Sequence, residues 1–384
     1  MKPKILFITP LPPPVHGSAM VSKFIQDSKI INQEFDCDFV NLSTSRKMDE
    51  IQSLNLKKVL RLVGICFTVF WKLLTNRYDL CYCAIACFGM PFLKDAPVVL
   101  LCKLFGRKVL IHQHNKGMHN YCNRKVYKHL YRLVYKNSKV MLLSWRLYDD
   151  ISEVVNKEQV VICPNGVAPI DRVGSDKMAV DSNHVCRLLY LSNLIPTKGC
   201  NVLLDALRIL KDKGVPFVCD FIGGDCPEQS ADDFVALIHQ KQLEGSAFYR
   251  GKKYGVEKEN FYRNADIFVF PTFYSAECFP LVLLEAMQYS LPCISTSEAA
   301  IPDIVEDGET GFIVHRNNAE ALADRIELMI AHPEKRIAMG KNGKEKYQKE
   351  FTLNQFEERM KEVLNSIIKN DKDYLKNNNA GNAN

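Results

Sequence analysis

The sequence predicts an α/β protein of two domains, each an open parallel sheet flanked by helices. Three observations carry that expectation. A chain of 384 residues is too long for one ordinary core. Short apolar runs alternate along it with longer segments of helical period, the signature of parallel sheets with crossover helices. A polar, pattern-free stretch at 171–184 breaks that alternation and reads as a linker. Hydrophobic content of 47% with 24% charged residues belongs to a globular protein and excludes a disordered or fibrous one.

In chain order, residues 4–9 (KILFIT) read as the first buried strand. A proline-rich loop bearing Gly17 and Ser18 follows, then a helix from about Met20. A strand, a glycine-bearing loop and a helix start bring backbone N–H groups to where a phosphate can sit. Residues 35–41 read as the second strand and contain Asp36-x-Asp38, taken as two solvated strand-edge acids and not as a metal site. Residues 56–74 have helical period, with Lys57, Lys58, Arg61 and Lys72 beside a broad apolar face. A second basic stretch, 124–139, interleaves six Lys and Arg with Tyr127, Tyr131 and Tyr135. Two readings of these stretches stand side by side, an ordinary core helix and a helix lying on an anionic leaflet. Residues 108–112 (KVLIH) form a strand with His114 just past its carboxyl end, and 140–143 give another. Residues 160–167 (VVICPNGV) carry an Asn165-Gly166 turn signal.

The second domain opens with a strand at 187–192. The loop from Asn193 to Gly199 carries Lys198, and a helix starts at Cys200. An ammonium beside free helix N–H groups suits a diphosphate. Strands at 217–224 and 248–251 and a helix at 256–264 come next. Then Ile267–Phe270 forms a buried strand, Pro271-Thr272 ends it, and a loop leads through Glu277, Cys278 and Phe279 to Pro280 at the first helical position. Leu281–Gln288 is the helix, with Glu285 inside it. Ligands of open α/β sheets bind at the strands' carboxyl ends, so both Glu277 and Glu285 reach that edge. A strand at 293–297, a turn region at 301–314, a helix at 351–369 and a tail at 370–384, expected to be disordered, complete the chain.

The formal charge of +6 is unevenly placed: residues 1–180 hold 26 Lys and Arg against 14 Asp and Glu, the remainder 24 against 30. The first half therefore faces something anionic, and no nucleic-acid-binding module is recognisable. Fourteen cysteines without a single C-x-x-C pair read as small buried hydrophobes in a reducing compartment. Residues 80–93 are free of charge but too short, and too broken by Gly89 and Pro91, to span a bilayer. No signal peptide is visible. A cytoplasmic location follows as the expectation, with a peripheral position on the inner face of the plasma membrane if the basic helices meet lipid.

The stretch from strand through Glu277-Cys278-Phe279 to Glu285-Ala286-Met287 and Leu291-Pro292, with seven residues between the two glutamates, resembles the E-x7-E signature of retaining glycosyltransferases of the GT-B fold, family 4. The resemblance is strong over the second domain and loose over the first. It implies two Rossmann-like domains, 1–170 on the acceptor side and 185–350 for the nucleotide-sugar, whose parallel sheets face across a cleft. It also implies a C-terminal helix at 351–369 crossing back to the first domain. The activity implied is a hexosyl-type transfer (EC 2.4) from a nucleotide-sugar; it is mainly the basic first half that favours a UDP-sugar over a GDP-sugar and a lipid-linked or polysaccharide acceptor in cell-surface polysaccharide synthesis. No metal or other cofactor is expected.

The resemblance further assigns roles. His114 contacts the transferred sugar, Lys198 the diphosphate, and Glu277 a sugar hydroxyl together with the backbone N–H groups of Cys278 and Phe279. Glu285 grips the ribose, while Leu281, Asn193, Gly17 and Ser18 line the donor. Two departures stand out. Asn193 replaces the usual Arg five residues before Lys198, and Pro280 replaces a usual Gly. They motivate two alternatives, a nucleotide-sugar-binding subunit without catalysis and, from the fold, a sugar-nucleotide epimerase.

Overall fold

The computed structural model describes residues 2–13, 17–43, 56–170, 184–371, 374 and 378. Two compact units divide the chain: residues 1–165 with 353–384, and residues 166–352.

The first unit runs β1 (Lys4–Thr9), α1 (Gly17–Asp27), α2 (Lys29–Glu34), β2 (Asp36–Asn41), α3 (Leu56–Thr75), β3 (Leu80–Ala84), α4 (Gly89–Leu104), β4 (Val109–His112), α5 (Lys125–Tyr135), β5 (Lys139–Leu142) and β6 (Val160–Ile162). Its strands are parallel in the order β2-β1-β3-β4-β5-β6. β3 and β4 are buried along their whole length, as strands covered on both faces must be. The chain leaves β1 toward β2 and then crosses to β3 on the other side. The switch point therefore lies at the carboxyl ends of β1 and β3.

The second unit runs β7 (Cys186–Leu191), α6 (Cys200–Asp212), β8 (Phe217–Ile222), α7 (Ala231–Gln240), β9 (Ala247–Tyr249), α8 (Gly255–Asn264), β10 (Ile267–Phe270), α9 (Leu281–Gln288), β11 (Cys293–Thr296), α10 (Ile301–Ile304), β12 (Gly311–Val314), α11 (Ala319–Ala331) and α12 (Pro333–Lys346). Its parallel order is β12-β11-β10-β7-β8-β9. Here the switch point falls between β7 and β10. A π-type turn at Tyr347–Phe351 precedes α13 (Leu353–Lys369), which belongs to the first unit. There α13 buries Phe356, Met360, Val363, Leu364 and Ile367. The Lys108 ammonium holds its last turn by donating to the Ile368 carbonyl at 2.8 Å, a favourable place for a cation.

Several expectations are corrected. The first helix starts at Gly17, three residues ahead of Met20, while Pro14–His16 lie outside the described residues. Pro280 is the N-cap of α9, and Leu281 is its first residue. The charge-free run at 80–93 is two elements, a buried strand and the first turn of α4, which opens at Gly89. Asp38 is not a solvated acid: it accepts from the Tyr78 hydroxyl at 2.5 Å and faces Lys72 at 3.2 Å. Part of the tail is ordered, since Asn378 accepts from Ile162 N at 2.8 Å and donates back to its carbonyl at 3.3 Å. Most of the remaining tail, and the linker at 171–183, lie outside the described residues. All cysteines are free thiols among those described, most of them buried.

Candidate functional site

At the switch point of the second unit, the loops that leave β7 and β10 are bonded to each other. Phe273 N donates to the Thr197 carbonyl at 2.8 Å, and the Thr272 hydroxyl reaches the same oxygen at 3.5 Å. The β7 loop turns through Pro196–Lys198 and passes Gly199, at φ +88°, into α6. That glycine has no substitute, because a Cβ there would lie 2.2 Å from the Pro271 carbonyl oxygen. The close approach brings Lys198 and Glu277 together, Nζ to Oε2, at 2.5 Å. The ammonium also lies 4.6 Å from the centre of the Tyr274 ring, a cation–π position. One ammonium N–H is spent on Glu277, and two remain for a ligand oxygen.

Glu285, in the middle of α9, receives a hydrogen bond from the Tyr262 hydroxyl at 2.9 Å and an ion pair from Lys258 at 2.8 Å. Burial, and then the Glu285 charge, push the Tyr262 phenol well above its usual range, so it remains a donor. An ionised carboxylate has about four acceptor positions, and two of them stay available for hydroxyl donors. Lys258 was not singled out by sequence reasoning. Its only signal is its place four residues before Tyr262 on α8, which puts both on one helix face.

Asn193 does not act as a charge. Its Oδ1 accepts from Gly224 N at 3.1 Å, tying the β7 loop to the β8 loop. Lys252, on the loop after β9, lies over the same place: its Nζ is 3.0 Å from where a Cβ of Gly224 would sit. Cys278 and Phe279 are buried, and the Cys278 carbonyl is fixed by Ala300 N at 3.1 Å. Leu281 opens α9 behind them.

In the first unit, Gly17 and Ser18 form the start of α1 at that unit's switch point. The Ser18 carbonyl accepts from Ser22 at 2.9 Å. Among the described residues, no heavy atom beyond its chain neighbours lies within 4 Å of a Cβ built on Gly17. His114 lies two residues past β4, its ring centroid 3.9 Å from that of His112. His112 is fully buried, with Nδ1 bonded to the Tyr82 hydroxyl and Nε2 lacking a protein partner. The sequence expectation passed over His112 in favour of His114.

Burial, aided by His114, holds the His112 pKa well below its ordinary value, so the folded ring is neutral. Below about pH 6.5 the unfolded chain binds a proton there that the folded chain does not. Stability from this group is therefore complete above that pH and is lost as pH falls. The expected slope is about 1.4 kcal/mol per pH unit. Urea unfolding across pH 5 to 7.5 checks it, and His112→Gln should flatten the profile over that window.

No group of three or more His, Cys, Asp or Glu placed to hold a metal occurs among the described residues.

Comparison with known proteins gives this geometry a family. Residues 185–346 match the family described as "Glycosyl transferases group 1". The match falls within the second unit, which is similar to the group 1 glycosyltransferases over that length. Relatives matched over similar lengths include the capsular polysaccharide glycosyltransferase CapM of Staphylococcus aureus, 29% identical over 182 residues, 47% of this chain and 46% of CapM. The amylovoran glycosyltransferase AmsK of Erwinia amylovora is 30% identical over 172 residues, 42% of this chain and 41% of AmsK. The chain spans about half the length of the curated relatives it matches. A glycosyltransferase structure from Rickettsia africae matches with a TM-score of 0.74 at 19% identity, covering 96% of this chain and 100% of that one. Anabaena HepE, solved with UDP-glucose, matches with a TM-score of 0.69 at 16% identity, covering 94% and 99%. The shared architecture is GT-B, with two Rossmann-like units.

Proposed function

We propose that the protein is a retaining, metal-independent family 4 glycosyltransferase of polysaccharide synthesis, taking its sugar from a UDP-sugar, with GDP-sugars as the less favoured donors. The observation that carries this reading is the placement of Lys198, Glu277 and Glu285 on the loops and helix at one switch point of the second unit. Relatives named for capsular and amylovoran synthesis, and a fold shared with a UDP-glucose complex, support it.

In this proposal the donor diphosphate meets the two remaining N–H groups of Lys198 and the start of α6. Charge that develops on the leaving diphosphate is stabilised there, where the site is already organised. Glu285, held by Tyr262 and Lys258, accepts from the ribose hydroxyls. Glu277 holds a sugar hydroxyl with help from the Cys278 and Phe279 amides, and Leu281 lines the donor. Gly17, Ser18 and His114 serve the diphosphate, acceptor and sugar from the first unit. The acceptor is a lipid-linked or polysaccharide glycan, so the reaction runs on the cytoplasmic side of the plasma membrane. The deciding experiment measures nucleotide release from a panel of UDP- and GDP-sugars. Release from one donor, abolished in Glu285→Ala, supports transfer. Donor bound by none of the panel overturns it.

Asn193 motivates a second reading, a subunit that binds the nucleotide-sugar without turning it over. Binding without release, also in the presence of candidate acceptors, would favour it. Conversion of the donor to an isomer without acceptor would instead identify an epimerase. For the transferase, Lys252, which lies over Gly224 and faces Asp225 at 4.0 Å, is our candidate for the cation in place of the missing Arg. Lys252→Ala is expected to raise KM for the donor by about fivefold to tenfold. Lys252→Arg should largely restore it, and steady-state kinetics distinguishes the two.

A further inference from the structure

Among the described residues, most of the outward face of α3 is left uncovered. Leu60, Val63, Phe67, Phe70, Trp71 and Leu74 recur at helical spacing and are all exposed, with Leu60, Phe67 and Trp71 at 63, 65 and 55%. The opposite face already serves the core, burying Val69 and Leu73. Periodicity of this kind normally gives one apolar stripe. α3 has two, and among the described residues the second is open to solvent except at its margin, where the Phe70 ring meets Phe105 edge-on. Single exposed apolar residues are ordinary, whereas a contiguous row marks an interaction surface.

The layer around it is cationic. The steps β2 to β3, β3 to β4 and β4 to β5 all run in one direction across the sheet. Right-handed crossovers therefore place α3, α4 and α5 side by side on one face, and α4 packs against both others. Residues 56–142 contain sixteen Lys and Arg against two acids, Asp79 and Asp95. Asp95 is buried beside Lys94, and Asp79 accepts from Lys4 N at 2.8 Å. On α5, Lys125, Lys128 and Arg132 are exposed, and Leu133 lies among them at 44%. At the end of α4, Leu104 is 79% exposed.

We propose that the α3–α5 face is a docking surface for an anionic lipid bilayer, with α3 lying in the plane of the interface. Phe67 and Trp71 enter the boundary between headgroups and acyl chains, and the α5 cations face the lipid phosphates. A symmetric pairing of two copies through α3 would bring two cationic faces together without carboxylates to neutralise them. Insertion across the membrane is not the mode, because no described helix is long and apolar enough to span one. An exposed apolar stripe with aromatic residues and flanking cations is the form of an interfacial helix. This inference stands on the first unit alone and does not depend on the transferase reading.

The test is flotation of the full chain with vesicles of phosphatidylcholine, with and without phosphatidylglycerol. Binding is expected only with phosphatidylglycerol, and weaker at high salt. Phe67→Glu with Trp71→Glu should lower it at least about tenfold. Combined Lys125→Ala, Lys128→Ala and Arg132→Ala should lower it about a hundredfold, at roughly fivefold per cation. The second set keeps the test decisive should the first not fold. Trp145→Phe leaves Trp71 as the single tryptophan, and its emission should shift to the blue on binding. Nucleotide release in solution should be unchanged by the Phe67 and Trp71 substitutions. Folded protein that binds neither vesicle overturns the proposal. So does a dimer, seen by sedimentation, that the Phe67 and Trp71 substitutions dissociate while vesicles are ignored.

Discussion

Lys198→Ala is expected to lower the rate of nucleotide release by about two to three orders of magnitude. In the proposed transfer, charge on the diphosphate grows as the sugar bond breaks, so an ammonium aimed at it gains most in the transition state. The loss should therefore appear chiefly in kcat. A structural effect accompanies it and must be separated. Lys198 and Glu277 are 16% and 9% exposed, so removing the cation leaves an inward carboxylate unpaired, at a cost of about 3 kcal/mol. Lys198→Ala with Glu277→Ala should recover most of that stability in a thermal melt. It should recover none of the activity. A double variant that regained turnover would show the pair to be scaffolding only.

Gly199→Ala should be strongly damaging to the second unit. The residue sits at φ +88°, and the new carbon would fall 2.2 Å from the Pro271 carbonyl oxygen, a backbone atom that cannot swing aside. Strain from the left-handed backbone and from overpacking together amount to about 3 kcal/mol. Relief can come only by parting the β7 and β10 loops, which also parts Lys198 from Glu277. The variant should thus lose both melting temperature and donor affinity. Gly17→Ala, whose Cβ would meet no heavy atom of the described residues beyond its chain neighbours, should leave the melting temperature unchanged, and a differential scan of the two checks the contrast.

Much of this site could be read from the sequence because its pieces are local. β10 is four apolar residues closed by Pro271, and α9 follows Pro280 with good helix formers, so the edge carrying Glu277 and Glu285 is visible in one short stretch. Lys198 shows itself by standing next to a helix start. The partnerships are not local. Lys198 and Glu277 are 79 residues apart in sequence and meet only because β7 and β10 are neighbours in the sheet. Lys258 finds Glu285 through the packing of α8 beside α9, which no periodicity encodes. Asn193 was legible as a missing charge but not as the acceptor of Gly224 N. On α3, amphipathic spacing identified a helix, yet Phe67 and Val69 are equally apolar on paper. Only the sheet decides which of them faces outward.

One topological feature bears on how the chain comes to be built. The first unit is discontinuous: its last helix, α13, is separated from its sheet by the whole of residues 166–352. The two ends of that intervening unit are adjacent, with Val167 N donating to the Phe351 carbonyl at 3.0 Å. The second unit is thus an insertion whose entry and exit lie side by side, an arrangement in which a domain can be lifted out with little disturbance. During synthesis the inserted unit is complete, and can fold, before α13 has left the ribosome. The earlier-made half must meanwhile wait with an unfilled groove where Phe356, Met360 and Leu364 will pack. The part made first is finished last.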